Sequence, residues 1–335
     1  MKKIFFSLAT IVALFATSCV TEVASDVRAK NELCDVTFAL QSANVATRAG
    51  EPTIGNGLKA SELTYAVYDA NWEYLTMAET TFPTGQLSTT ITLRLVKGKT
   101  YNFVFWAQSP EAKANNYYTL TLGSTVGDIV NPSVKVNYDA TKDLANDDTR
   151  DAFFGQRLAL TVDGTINETI YLKRPFAQIN FGTSDTADAK LFGFDVALAE
   201  TVSSIVTSAY QTLYLKDGSL GDDLTPVTFK ANALPVDTTL KTNKGDYYWL
   251  ATCYILWPKT EDNNPTSIPN TTLSINTQNH SVSVEVPMAP AQRNWRTNLV
   301  GDILTEKGNL TVEIVPEFED ATNPDNQFTQ DHTTL

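Results

Sequence analysis

Period-two alternation of apolar and polar residues, in short runs broken by turn residues, constrains this chain more than any other feature. Val36, Phe38 and Leu40 alternate with Thr37, Ala39 and Gln41, and Leu63, Tyr65 and Val67 alternate with Thr64, Ala66 and Tyr68. Leu87, Ile91, Leu93 and Leu95 alternate with Ser88, Thr90, Thr92 and Arg94; Lys97-Gly98-Lys99 then separates them from an apolar run over Tyr101 to Trp106. Successive strand residues point to opposite faces, so each run predicts a β-strand with one face inward. Further strands are expected near 117–122, 134–138, 157–162, 169–172, 176–181, 247–257, 271–277, 281–286 and 310–315, and no long amphipathic helix is expected. Short strands separated by Gly, Asn, Asp and Pro at a spacing of roughly 8 to 12 residues predict an all-β chain built as a β-sandwich. The 335 residues accommodate two such sandwiches at about 150 residues each. They are placed at 34–165 and 166–320, with the seam at Val162-Asp163-Gly164-Thr165-Ile166-Asn167, and a polar tail follows at 321–335.

The first residues carry a different pattern. Met1-Lys2-Lys3 precede an apolar run from Ile4 to Ala16, broken only by Ser7 and Thr10, which ends in Ala16-Thr17-Ser18-Cys19. The run is shorter than the roughly 20 residues that span a bilayer, and small residues stand before the cysteine. Residues 1–18 therefore read as a secretory signal peptide. Leu14 to Cys19 is similar to a bacterial lipobox, in which Cys19 would be diacylated, although Ser18 stands where Ala or Gly is usual. Residues 19–33 then read as a polar, lipidated tether. An ordinary cleavage site beside a cysteine is the other reading.

Charge and residue inventory exclude several classes of function. Lys and Arg number 25 against 38 acids, a net charge of −13 that grows more negative once Lys2 and Lys3 are removed. Such a surface repels nucleic acid. Beyond Cys19 only Cys34 and Cys253 remain, so a disulfide scaffold is excluded by count and a single bridge is left open. His280 and His332 are the two histidines, and there is no GxSxG elbow, P-loop or HExxH, so no catalytic residue, enzyme activity, cofactor or metal is expected. The acids Asp143, Asp147, Asp148 and Asp151 lack the spacing of a calcium loop and read as a solvated loop. Five tryptophans, Trp72, Trp106, Trp249, Trp257 and Trp295, could serve as platforms for sugars, but most sit in strand-like runs and read as core.

Three segments together resemble the fimbrillins, the lipoprotein subunits of type V pili in Gram-negative anaerobes. They are the lipobox with the strand Cys34 to Gln41 after it; Ala46-Thr47-Arg48-Ala49-Gly50; and Leu172-Lys173-Arg174-Pro175-Phe176-Ala177-Gln178-Ile179-Asn180-Phe181 with, much later, Arg293-Asn294-Trp295-Arg296-Thr297-Asn298-Leu299-Val300-Gly301-Asp302. The resemblance implies two tandem transthyretin-like β-sandwich domains. It also implies outer-membrane delivery on a lipid, then cleavage by an Arg-specific protease, which would fall between Arg48 and Ala49. The displaced strand would carry Val36, Phe38 and Leu40. Other fimbrial subunits would be the partners, through donor-strand exchange, with Leu310, Val312 and Ile314 as the candidate donor. The outcome would be a surface fimbria for adhesion or biofilm formation. The alternative is a permanently lipid-anchored surface protein, a pilus anchor or a glycan-binding module.

Overall fold

A computed structural model describes residues 32–42, 54–130, 133–221, 224–260, 262, 264–305 and 310–318, and the backbone of 327–332. The strands expected from alternation are present. In chain order they are β1 (Leu33–Ser42), β2 (Glu62–Asp69), β3 (Tyr74–Thr81), β4 (Ser88–Val96), β5 (Thr100–Gln108), β6 (Tyr118–Thr121), β7 (Lys135–Tyr138), β8 (Ala152–Thr161) and β9 (Ile166–Leu172). They continue with β10 (Phe176–Thr183), β11 (Val202–Tyr210), β12 (Thr212–Tyr214), β13 (Leu224–Ala233), β14 (Thr239–Thr242) and β15 (Gly245–Leu256). The last are β16 (Thr266–Asn276), β17 (Ser281–Ala291), β18 (Arg296–Gly301), β19 (Leu310–Val315) and β20 (Gln327–His332). The α-helices among the described residues are short, at Pro110–Ala114 and Thr186–Leu191.

The sheets stack in a sandwich-like arrangement within one compact unit, Leu33–Leu335. A three-stranded sheet, β4-β1-β9, faces a four-stranded one, β3-β2-β5-β8. Between them Val36, Phe38 and Leu40 of β1, Ile91 of β4 and Ile170 and Leu172 of β9 meet Leu63 and Val67 of β2, Phe103 and Phe105 of β5 and Phe153 of β8. β5 is buried along nearly its whole length because both its faces are covered. Phe103, Phe105 and Ala107 enter this first core, while Val104 and Trp106 enter a second, which Tyr118 and Val136 share with Phe176 and Tyr254. A ten-stranded sheet, running β17-β16-β11-β15-β10-β18-β19-β20 with β13 and β14 alongside, holds the third core.

The Lys97-Gly98-Lys99 turn lies between two strands as expected, and it joins two different sheets, with Gly98 at φ +77°. Two local outcomes depart from the sequence reading. The expected seam coincides with the β8–β9 turn, yet β9 pairs in parallel with β1 from Val36↔Ile166 to Ser42↔Leu172, so the chain leaves the first sheets only after Leu172. The stretch read as a polar tail contains β20, which pairs antiparallel with β19. Cys34 and Cys253 are both buried and free.

Candidate functional site

β1 is the middle strand of its sheet, antiparallel to β4 from Leu33↔Val96 to Gln41↔Ser88 and parallel to β9. Among the described residues neither neighbour has another partner in that sheet. Val36, Phe38 and Leu40 are wholly buried, and the Phe38 ring meets Phe103 at 4.9 Å and Phe105 at 5.7 Å, both edge-on. On the outer face the Thr37 and Thr92 hydroxyls lie 3.0 Å apart. Each inward side chain contributes about 1.5–3 kcal/mol of burial. Taking β1 away would leave β4 and β9 facing each other across a gap of about two strand spacings, roughly 10 Å, with both edges unpaired. The site is thus an apolar slot shaped for one extended strand.

Arg48 and Ala49, like Cys19, lie outside the described residues. The described chain resumes at Ile54, and there it is pinned. Gly55 N donates to Asp148 Oδ1 (2.9 Å), and Gly55 O accepts from Arg174 Nη2 (2.6 Å). Gly55 has φ +84°, and a Cβ there would come within 2.8 Å of Gln178 Oε1, so only glycine fits this close approach. Arg174, with no exposure, grips Asp151 through Nε and Nη2, both at 2.7 Å. Its guanidinium lies 3.9 Å from the centre of the Phe318 ring. Asp148 also accepts from the Tyr254 hydroxyl at 2.7 Å, and burial, with the Asp151 charge adding to it, pushes its carboxyl up to about 7. Next to it Arg150 pairs with Asp143 at 2.9 Å and stacks 3.4 Å over Tyr117.

The solvated-loop reading of these acids is therefore overturned: Asp143 and Asp151 are 0% exposed and Asp148 3%, each facing a cation or hydroxyl donor. Among the described residues no group of three or more His, Cys, Asp and Glu is placed to hold a metal. Sequence reasoning missed the knot because burial of an acid is decided by its partner, and Arg174 is remote from Asp148 in sequence. The one available signal was a charge, Lys173-Arg174, inside an otherwise apolar run.

The two late motif segments come together. Asn294 Oδ1 accepts from Arg174 N at 3.0 Å, Phe176 O accepts from Asn294 N at 2.7 Å, and β10 then runs parallel to β18 from Gln178↔Arg296. The candidate donor residues Leu310, Val312 and Ile314 are buried within their own sheet, in β19, between β18 and β20.

A family of unknown function, DUF6562, matches residues 28–333. The chain belongs to that family. No curated protein matches it. A crystal structure of a candidate polysaccharide-binding protein (DUF1812) of Bacteroides thetaiotaomicron VPI-5482 is similar to this DUF6562 chain with a TM-score of 0.51 at 13% identity, covering 90% of this chain and 100% of the other. The C-terminally truncated tip fimbrial protein Mfa3 of Porphyromonas gingivalis gives 0.47 at 13% identity over 85% and 100%. A fimbrial assembly protein of Parabacteroides distasonis ATCC 8503 gives 0.46 at 13% over 89% and 99%. At these identities the first likeness is one of fold, and it extends along nearly the whole DUF6562 chain.

Elsewhere the DUF6562 chain places its chemistry-bearing residues as the sequence suggested. His280 is exposed and stands edge-on to Phe194 at 6.1 Å. Trp72, Trp106, Trp249 and Trp257 are buried, which leaves Trp295, half-buried, as the tryptophan at a surface cleft.

Proposed function

We propose that this protein is a non-enzymatic subunit of an adhesive surface fibre, assembled by strand exchange into the slot now filled by β1. The precursor is exported as a lipoprotein on Cys19 to the outer membrane, and an Arg-specific protease cuts it between Arg48 and Ala49. The departing piece takes the lipid and β1 with it. The supporting observation is that β1 is the central strand of a sheet whose other two strands pair with nothing else in it among the described residues, and that Arg48 follows in the sequence before Gly55. A vacated slot loses the burial of Val36, Phe38 and Leu40, about 5–9 kcal/mol, comparable with the whole stability of a domain. It persists only if another subunit's strand fills it.

The candidate donor, Leu310 to Val315, has its alternation in step with the strand it would replace. Leu310, Val312 and Ile314 would face inward, leaving Glu313 on the outer side. In its own sheet Glu313 Oε2 accepts from Asn298 Nδ2 at 2.6 Å, so donation also gives up that contact. Burial lost at home and gained in the slot are of the same size, so the exchange runs toward subunits whose slot has been emptied by cleavage. The test is Arg48→Ala. Cells carrying it should keep the protein as a lipidated monomer, whereas the natural chain should yield polymer with Ala49 as its N-terminus. Normal polymer from Arg48→Ala would defeat the reading. A natural chain found only in the uncut Cys19 form would instead favour the permanently anchored alternative.

A further inference from the structure

A cleft of about 360 Å³ opens beside Trp295, within the roughly 300–1,000 Å³ of small-ligand sites. Tyr171, 60% exposed, also lines it, as do Lys259, Arg293 and Asn294. A second recess of about 300 Å³ shares Lys259 and Arg293 and extends the cleft along Gly218.

Arg293 is the unusual member. It is 8% exposed, and its donors Nε and Nη1 go to the carbonyls of Trp257 (3.0 Å) and Gly218 (2.7 Å). Neither acceptor carries charge, and Nη2 has no acceptor among the described residues. Burial without a counter-charge holds its guanidinium down at about 10. The backbone is shaped for it: Gly218 sits at φ +74°, and a Cβ there would come within 3.3 Å of Nη1. A buried cation lacking a carboxylate costs free energy that an incoming anion recovers. Asn294 Nδ2 is likewise buried and without an acceptor among the described residues. Lys259 is exposed and forms no ion pair among the described residues. The lining also holds Asp217 and the Lys173–Glu317 ion pair (3.1 Å), so Arg293 and Lys259 are the cations left to face a ligand, in a recess that Trp295 and Tyr171 line as well. Flat aromatic faces match the apolar C–H face of a pyranose ring, while amide and charged groups match its polar rim.

We propose that this cleft binds an acidic sugar, with its carboxylate or sulfate between Arg293 and Lys259 and its ring against Trp295 and Tyr171. Recognition of a glycan would give an adhesive fibre its target, but the site is complete within one chain and does not depend on polymerisation.

Calorimetric titration of the purified full-length chain tests this. Oligogalacturonate serves as the carboxylate probe and a chondroitin sulfate oligosaccharide as the sulfate probe, with a neutral galacto-oligosaccharide of equal length and poly-glutamate as comparisons. At least one acidic oligosaccharide should bind at least tenfold tighter than both comparisons. Lys259→Met and Tyr171→Ala, both at exposed positions, should each weaken it about tenfold, the effect of losing one charge-assisted contact or one ring face. Arg293→Met should abolish binding; because it also removes two buried hydrogen bonds, the decision rests on the two exposed variants. Equal affinity for the neutral sugar, equal affinity for poly-glutamate, no binding of either acidic oligosaccharide, or unchanged affinity in both exposed variants would each overturn the proposal. Because the titration uses unassembled protein, its failure and a failure of Arg48→Ala to block assembly are separate results.

Discussion

The chain is held in opposite ways on the two sides of Arg48. Upstream, β1 is held by a ladder of backbone hydrogen bonds and by three apolar side chains, all of which any extended strand of like pattern could supply. Downstream, the Gly55 N–H and carbonyl are held by the buried side chains of Asp148 and Arg174. The apolar hold is replaceable and the ionic hold is specific. Under the proposed cleavage, a cut between them would release the apolar-held segment and leave the ionically held one with the body of the protein.

Phe38→Ala should break the upstream hold with the largest effect. Phe38 is wholly buried against Phe103 and Phe105, so truncation should cost about 4–5 kcal/mol of stability in chemical denaturation, the upper part of the range for such cavities. If the loss were under about 1 kcal/mol, the slot would not be the closely packed one described. Arg174→Met attacks the downstream hold. It leaves Asp151 buried without its cation and frees Gly55 O, and should cost about 3 kcal/mol. Adding Asp151→Leu should recover much of that loss, because removing both charges is far less costly than stranding one. Limited proteolysis near Gly55 should rise in Arg174→Met and stay unchanged in Phe38→Ala, and the reverse pattern would refute the division of labour.

The two holds were not equally legible in the sequence. Period-two alternation exposed β1 and its inward triad directly, since burial on one face writes itself into every second residue. Its antiparallel partner β4 was legible for the same reason. The parallel partner β9 was recognised as a strand but placed beyond the seam, because local pattern carries no information about which distant strand it joins. The ionic knot was invisible: four acids between Asp143 and Asp151 look solvated until Arg150 and Arg174 are brought against them. β20 was missed because Gln327–His332 shows no apolar alternation, and its antiparallel pairing with β19 leaves no trace in the local sequence. The cleft had one trace, Trp295 in the segment that also holds Arg293, but its partners Tyr171 and Lys259 come from separate stretches of chain.

The smallest expected effect concerns pH, and it sharpens the comparison because the apolar slot contains no titrating acid. Asp148 binds its proton more tightly folded, with a pKa pushed to about 7 by burial, than unfolded near the ordinary carboxylate value of 3.8. Its Oδ2 has no hydrogen-bond partner among the described residues, so a proton there costs no existing contact. Between those two values the folded state holds more protons than the unfolded state, and stability must fall as pH rises. The contribution is fully present below about 4 and lost above about 7. Melting temperature should accordingly drop by a few degrees from pH 5 to pH 8, a modest shift for a domain of this size. Asp148→Asn should make that slope shallower without abolishing it: the neutral amide keeps an oxygen for Tyr254 and Gly55 and has nothing to titrate, while buried Asp143, also pushed up to about 7 by burial, still titrates in the same window. Phe38→Ala should lower the whole curve and leave its slope intact. A slope wholly unchanged by Asp148→Asn would assign the titration to Asp143 instead.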